Sequence, residues 1–174
     1  MIKLTTPLSH EQLEPLRASD FVHISGKIYT ARDAAHKRLM QDLKNNKDLP
    51  FDLTDQILYY VGPSPTPPHL TFGSAGPTTA NRMDPYTPTL LDKGLKGIIG
   101  KGYRSLEVQQ SFFDHQAVYF VAIGGAGALL GSCVMASRII AYEDLGAEAI
   151  YELDVKDFPV IVCYDLHKND AYKK

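Results

Sequence analysis

The sequence predicts an α/β protein, a mixed sheet with flanking helices. Three observations lead there. Short apolar runs of strand length alternate with capped segments of helix length. A turn-flanked pair of strands stands near the start, and strand-like runs cluster near the end. No repeat or low-complexity tract interrupts them. The chain has 174 residues, and domains commonly run to roughly 100 to 200, so one domain over residues 1–174 is expected.

Taken in order, Met1 to Leu8 reads as an opening strand. Ser9-His10-Glu11-Gln12 has capping-box form for a helix reaching about Ala18. Phe21 to Ile24 and Lys27 to Tyr29 flank Ser25-Gly26, a tight-turn signal that predicts a hairpin. Thr30 with Asp33 is placed to cap a helix through about Asn45, with Ala34, Ala35, Leu39 and Leu43 as its inner stripe. Ile57 to Val61 is a short apolar strand. The prolines of Gly62 to Pro68 then force an extended loop, because proline cannot donate to a ladder. Thr87-Pro88 opens a helix that Gly94 closes, and Ile98-Ile99 is a brief strand. Ser105 to His115 reads as helix, Val118 to Ile123 as a buried strand and Gly131 to Leu145 as mainly helical. Strands at about Ala149 to Asp154 and Val160 to Tyr164 finish the chain. The weak alternation leaves sheet order open.

Composition removes several function classes. Eighteen Lys and Arg against twenty Asp and Glu give a net charge of −2, without the basic face that nucleic acid or an anionic membrane needs. Apolar runs such as Ala117 to Ile123 are too short to cross a bilayer, and no signal-type core follows a basic N-terminus. The only cysteines, Cys133 and Cys163, sit in apolar surroundings and read as buried free thiols. A reducing cytoplasm is therefore expected.

The most unusual stretch is Gly73-Ser-Ala-Gly-Pro-Thr-Thr-Ala-Asn-Arg-Met-Asp84. Small residues such as Gly76 let a backbone approach a ligand closely, and a helix starting just beyond would aim unpaired N–H groups at an anion. Thr78 and Thr79 add hydroxyls, and Arg82 adds a planar fork that matches a carboxylate. A plain threonine-capped helix start fits the stretch equally well. Gly100-Lys101-Gly102 places a cation just after a strand, where side chains project into crevices, although a surface turn is the commoner meaning of that pattern. Arg32 with Asp33 and His36 reads as a solvated charge, a capping group and a surface imidazole. Gly125-x-Gly127-x-x-x-Gly131 misses the dinucleotide spacing and reads as close packing at a strand-to-helix turn.

Three segments together carry a resemblance. Gly-Ser-Ala-Gly-Pro-Thr78-Thr79-Ala-Asn-Arg82-Met-Asp, Gly-Ile-Ile-Gly-Lys101-Gly and Tyr29-Thr-Ala-Arg32-Asp-Ala-Ala-His36 resemble, in order and spacing, the C-terminal domain or separate beta subunit of class I fumarate hydratases and L-tartrate dehydratases. Asn81 departs from that pattern, standing where glycine is expected. The resemblance implies a swivelling β/β/α domain closing over a catalytic part that carries a [4Fe-4S] cluster. Such a cluster takes about three cysteine ligands even with one iron left open, so it implies a cluster held by a partner alpha subunit, none bound by this chain alone, and a chain inactive by itself. By matching positions it implies Thr78 as catalytic base, Lys101 as a catalytic and substrate-binding cation, and Arg32, Arg82, Gly76 and Thr79 as further substrate contacts. The substrate would be a C4 dicarboxylate, fumarate or malate first and L-tartrate or oxaloacetate next. A homodimer of beta chains or a dimer of heterodimers is implied as well. Two other readings stay open: a non-catalytic phosphate- or nucleotide-binding module, and an assembly subunit shielding a partner's cluster.

Overall fold

Five strands run parallel, and their shared direction decides where everything else lies. In the computed structural model, which describes residues 1–173, they are β1 (Ile2–Thr5), β2 (Phe21–Thr30), β3 (Ile57–Tyr59), β4 (Gly97–Gly100) and β5 (Val118–Val121). Each pairs in parallel with the next. Two more, β6 (Val134–Ala141) and the long β7 (Ile150–Tyr164), complete a mixed seven-stranded sheet. β7 runs antiparallel to β2, β5 and β6 alike. Its pairing with both β2 and β5 closes β2, β3, β4, β5 and β7 into a ring, leaving β1 and β6 as outer strands. The connections hold α1 (His10–Leu13), α2 (Asp33–Lys44), α3 (Thr87–Asp92), α4 (Leu106–Asp114) and α5 (Gly127–Ser132), with 3-10 turns at Ala80–Met83 and Glu143–Glu148. Among the described residues no helix is long and apolar enough to cross a membrane.

Period-two alternation sorts the strand side chains into two cores. Ile24, Ile57, Tyr59, Ile99, Phe120, Val160 and Val162 belong to a buried cluster drawing on every ring strand, which is the ring's interior. Their neighbours Leu58, Tyr60, Ile98, Tyr119 and Cys163 face the other way. They pack with Ala35 and Leu39 of α2, Leu90 and Leu91 of α3, and Val108 and Phe112 of α4. Burial on both faces is what makes the parallel strands read as continuous apolar runs. Short helices succeed where their caps are local: Ser9 accepts from the Gln12 N–H, Ser105 from the Val108 N–H, and Gly94 ends α3 at φ +100°.

Four sequence expectations change. The predicted hairpin does not form; Phe21 to Thr30 is one strand, and Gly26, at φ +108°, supplies a bulge instead of a reversal. The two expected final strands are likewise one strand bent at Asp157 (φ 50°), whose N–H donates to Ser25 Oγ at 3.0 Å. α1 stops at Leu13 because Pro15 lacks the N–H to continue it. Residues 134 to 141, expected to be helical, form an edge strand. Val134, Ile139 and Ile140 favour a pleat, and an exposed run from Met135 to Ile139 offers a helix no inner stripe.

Phe120 is fully buried within the ring. Truncating it to alanine removes core contacts from all sides and should cost about 3–5 kcal/mol, read as a lower urea midpoint.

Candidate functional site

The parallel strands deliver their C-terminal ends to one edge, where connections open into the space a ligand uses in α/β sheets. Arg32 follows β2, Gly62 follows β3, Lys101 follows β4 and Gly124 follows β5. The loop after β3 folds back so that its far end, residues 73 to 79, lies along the same edge. Tyr59 Oη donates to the Ala75 carbonyl, the Ala75 N–H to Gly127 O at 2.9 Å, and the Thr78 N–H to Tyr60 O at 2.7 Å. Thr79 then forms a parallel bridge with Lys101, and the Ala80 N–H donates to Lys101 O at 2.9 Å. Thr78, Thr79 and Lys101 are thereby fixed beside one another, although more than twenty residues separate the segments.

The stretch leaves fewer backbone N–H groups for an anion than a long helix start would. The N–H groups of Ala75, Thr78 and Ala80 are already bonded, and the segment beyond is a four-residue 3-10 turn, Ala80–Met83, with no side-chain cap. Positive charge at this edge comes from side chains. Gly127 and Gly131 serve packing, as expected, whereas Gly124 and Gly125 are exposed. A Cβ on Gly127 would lie 3.1 Å from Gly76 N, and the loop at Gly73 and Ser74 crowds Gly131 in the same way. The loop fills the space that a nucleotide phosphate would need at Gly127 and Gly131, so that reading is set aside. Gly76 itself has only the Gly127 Cα, at 3.8 Å, near where a Cβ would stand.

Arg32 is the N-cap residue of α2. Its carbonyl accepts from the His36 N–H at 2.9 Å and from His36 Nδ1 at 2.8 Å. Its guanidinium lies against Gly62, where a Cβ would come within 2.8 Å of Arg32 Cδ. Arg32 Nε is 3.3 Å from Glu148 Oε1 and 3.4 Å from Asp33 Oδ2. The Asp33 carboxylate also grips Arg82 side-on, Nε to Oδ1 at 3.0 Å and Nη2 to Oδ2 at 2.6 Å. One carboxylate thus ties two predicted site arginines together. Lys101 is exposed and, among the described residues, makes no ion pair. Arg32, Arg82, Lys101, Thr78, Thr79 and Gly76 all fall at this edge.

Several supporting residues escape sequence reasoning. Arg104, with a fully buried side chain, pairs with Asp84 at 2.7 Å and donates to Thr87 Oγ1 at 2.6 Å. Its guanidinium carbon lies 5.2–5.6 Å from the ring centroids of Tyr119, Tyr60 and Phe112. Tyr119 in turn donates to Gly102 O at 2.9 Å, so this cluster braces the turn after Lys101. Only the Ser-capped helix beginning at Ser105 hints at order there; nothing local signals a buried arginine. Glu148, far along the chain, also gives no local sign of reaching Arg32.

His36 is buried rather than a surface imidazole, packed between Tyr60 and Tyr86. Because Arg32 O can only accept, Nδ1 carries the proton, and Nε2 has no partner among the described residues. Burial drives its pKa down from the usual 6.5 to about 4, outweighing the bond to Arg32, which pulls it upward. The folded chain therefore resists a proton that the unfolded chain accepts below 6.5. Stability contributed by neutral His36 is complete above that pH and is lost as pH falls toward 4. The loss should be on the order of 3 kcal/mol across the window. Urea unfolding of His36→Gln should show a correspondingly smaller loss than the unaltered chain.

The residues present do not fit an iron–sulfur cluster. Cys163 is buried beneath the helices, its thiol pushed up to about 12 by burial and then by Asp170, whereas Cys133 packs against the other core. Among the described residues, no three His, Cys, Asp or Glu side chains converge as metal ligands.

A putative L(+)-tartrate dehydratase subunit beta from Methanocaldococcus jannaschii is 37% identical over 173 residues, covering 96% of this chain and 89% of that one. A putative fumarate hydratase class I from Geobacillus stearothermophilus is 36% identical over 99% of this chain but 34% of its own length. The aerobic class I fumarate hydratase of Escherichia coli K12 is 36% identical over 94% of this chain and 30% of its own length. The chain therefore spans about a third of these two hydratases and most of the beta subunit. Residues 1–174 match the family model described as Fumarase C-terminus, and the chain belongs to that family.

Proposed function

We propose that this chain is the beta subunit of an iron–sulfur-dependent hydro-lyase that reversibly adds water to, or removes it from, a C4 dicarboxylate. Fumarate and malate are the first substrates proposed. L-tartrate and oxaloacetate come second, favoured by the near full-length match to a relative named for tartrate. The observation that carries the reading is the gathering of Arg32, Arg82 and Lys101 with Thr78 at one strand edge, through the Thr79–Lys101 bridge and the shared Asp33 carboxylate. The thiols of this chain do not fit the [4Fe-4S] cluster, which is assigned to a partner alpha subunit corresponding to the remainder of the longer relatives. A homodimer of beta chains, or a dimer of heterodimers, in the cytoplasm completes the proposal, with no nucleic acid or membrane partner.

The chemistry follows from charge. Moving a proton on or off a carbon beside a carboxylate makes that carboxylate more negative in the transition state. Cations held in place at that carboxylate stabilise the change without reorganising. Arg32 and Arg82 offer planar forks suited to the two ends of a diacid, and Lys101 a mobile ammonium. Gly76 and Thr79 bring backbone and hydroxyl to the same ligand. Thr78 is assigned the proton transfer at carbon. Its alkoxide is too basic to form unaided in neutral water, so the role requires neighbouring positive charge, and Lys101 is bridged to the next residue, Thr79.

Removal of one such charge contact commonly costs about two to three powers of ten in turnover. Arg82→Ala and Lys101→Ala, each assembled anaerobically with the alpha subunit, should lose at least that on fumarate, malate or tartrate. Unchanged turnover of Lys101→Ala would remove this lysine from the site, and full activity without any alpha subunit would refute the partner assignment.

A further inference from the structure

Asp33 stands among the site cations without being one of the groups assigned to substrate. Its carboxylate bonds to Arg82 through Nε and Nη2 and approaches Arg32 Nε at 3.4 Å, and its side chain has no other hydrogen-bond partner among the described residues. The pair with Arg82 is partly exposed, with 48% of the arginine and 37% of the aspartate side chain accessible. Pairs so exposed add little to folding stability, so the bidentate geometry asks for another reason.

The geometry points to Asp33 as a positioning residue for dicarboxylate binding, an inference that rests on the function proposed above. Arg82 springs from a single 3-10 turn and carries a long flexible side chain, which left alone would sample many rotamers. Asp33, by contrast, is the first residue of the twelve-residue α2, where the helix dipole favours a negative charge. Tying Arg82 to this fixed point holds the guanidinium before substrate arrives. A guanidinium offers five N–H donors, and Asp33 takes the edge made by Nε and Nη2. The other edge, Nη1 with the second N–H of Nη2, is left for an incoming carboxylate, so substrate need not displace Asp33. The same carboxylate lies between Arg32 and Arg82 and screens the repulsion that would drive two guanidiniums apart. With Glu148 also beside Arg32, three cations face two internal carboxylates, and the edge keeps a positive balance for a dianion.

The test is a double-mutant cycle in the holoenzyme reconstituted with its alpha subunit, using Asp33→Asn and Arg82→Ala alone and combined. D33N is nearly isosteric and should retain the melting temperature of the unaltered protein. Its KM for the dicarboxylate should rise about tenfold or more, with a smaller fall in kcat. In the Arg82→Ala background the same substitution should add little, because the group it positions is gone. An unchanged KM would overturn the inference. A lowered KM would also overturn it, by making Asp33 a competitor for the substrate's place. Equal losses in both backgrounds would mark a structural residue and overturn it too. Arg82→Ala behaving like the unaltered enzyme would instead sink the dicarboxylate reading itself, and this inference with it.

Discussion

Where β7 crosses β2, two irregularities meet. The bulge at Ser25 and Gly26 lies opposite the bend at Asp157, whose N–H is bonded by Ser25 Oγ. The two irregularities keep the strands paired on either side of them, and β7 continues from β2 to β5 and closes the ring. Closure removes the freedom of β3, β4 and β5 to slide, because a one-residue slip would exchange the side chains of the ring interior with those packed under the helices. The carboxyl ends of the strands are thus held level, and the groups that follow them meet at one edge. The position of the site depends on this pairing more than on any contact within the site.

At that edge the fold places charge economically. Lys101 is free of ion pairs among the described residues, and the two arginines are held by carboxylates that leave donors unused. Burial is confined to the layer below. Neutral His36 fixes the backbone of Arg32, and Arg104, in its aromatic cage with Asp84, supports the turn after Lys101. Removing one partner of a buried pair leaves the other charge uncompensated, whereas an exposed pair can exchange with solvent. The arrangement is buried beneath and open to solvent above, as suits the role proposed for these side chains.

Much of this is readable along the chain because it is local. The segment from Gly73 to Asp84, the lysine of Gly100-Lys101-Gly102 and the Arg32-Asp33 pair stand out by composition, and their strands follow from apolar runs. What fails is whatever depends on a distant partner. Ser25-Gly26 looks like a turn because the same left-handed backbone serves a turn or a bulge, and only β7, more than a hundred residues later, decides. Residues 134 to 141 lack any buried stripe, being paired on one side and open on the other. The burial of His36 and Arg104 is set by Tyr60, Tyr86, Phe112 and Tyr119 arriving from other elements. Three backbone N–H groups of the 73 to 84 segment, those of Ala75, Thr78 and Ala80, go to the carbonyls of Gly127, Tyr60 and Lys101, pairings that no local pattern encodes.

The most direct measurement is a crystal structure of this chain assembled with the proposed alpha subunit and a non-reacting C4 dicarboxylate. Charge-assisted contacts of about 2.7–2.9 Å are expected from the diacid to Lys101 Nζ and to the guanidiniums of Arg32 and Arg82, with Asp33 still gripping the Nε edge of Arg82. A diacid bound wholly by the partner, with these three side chains turned to bulk water, would contradict the proposed function.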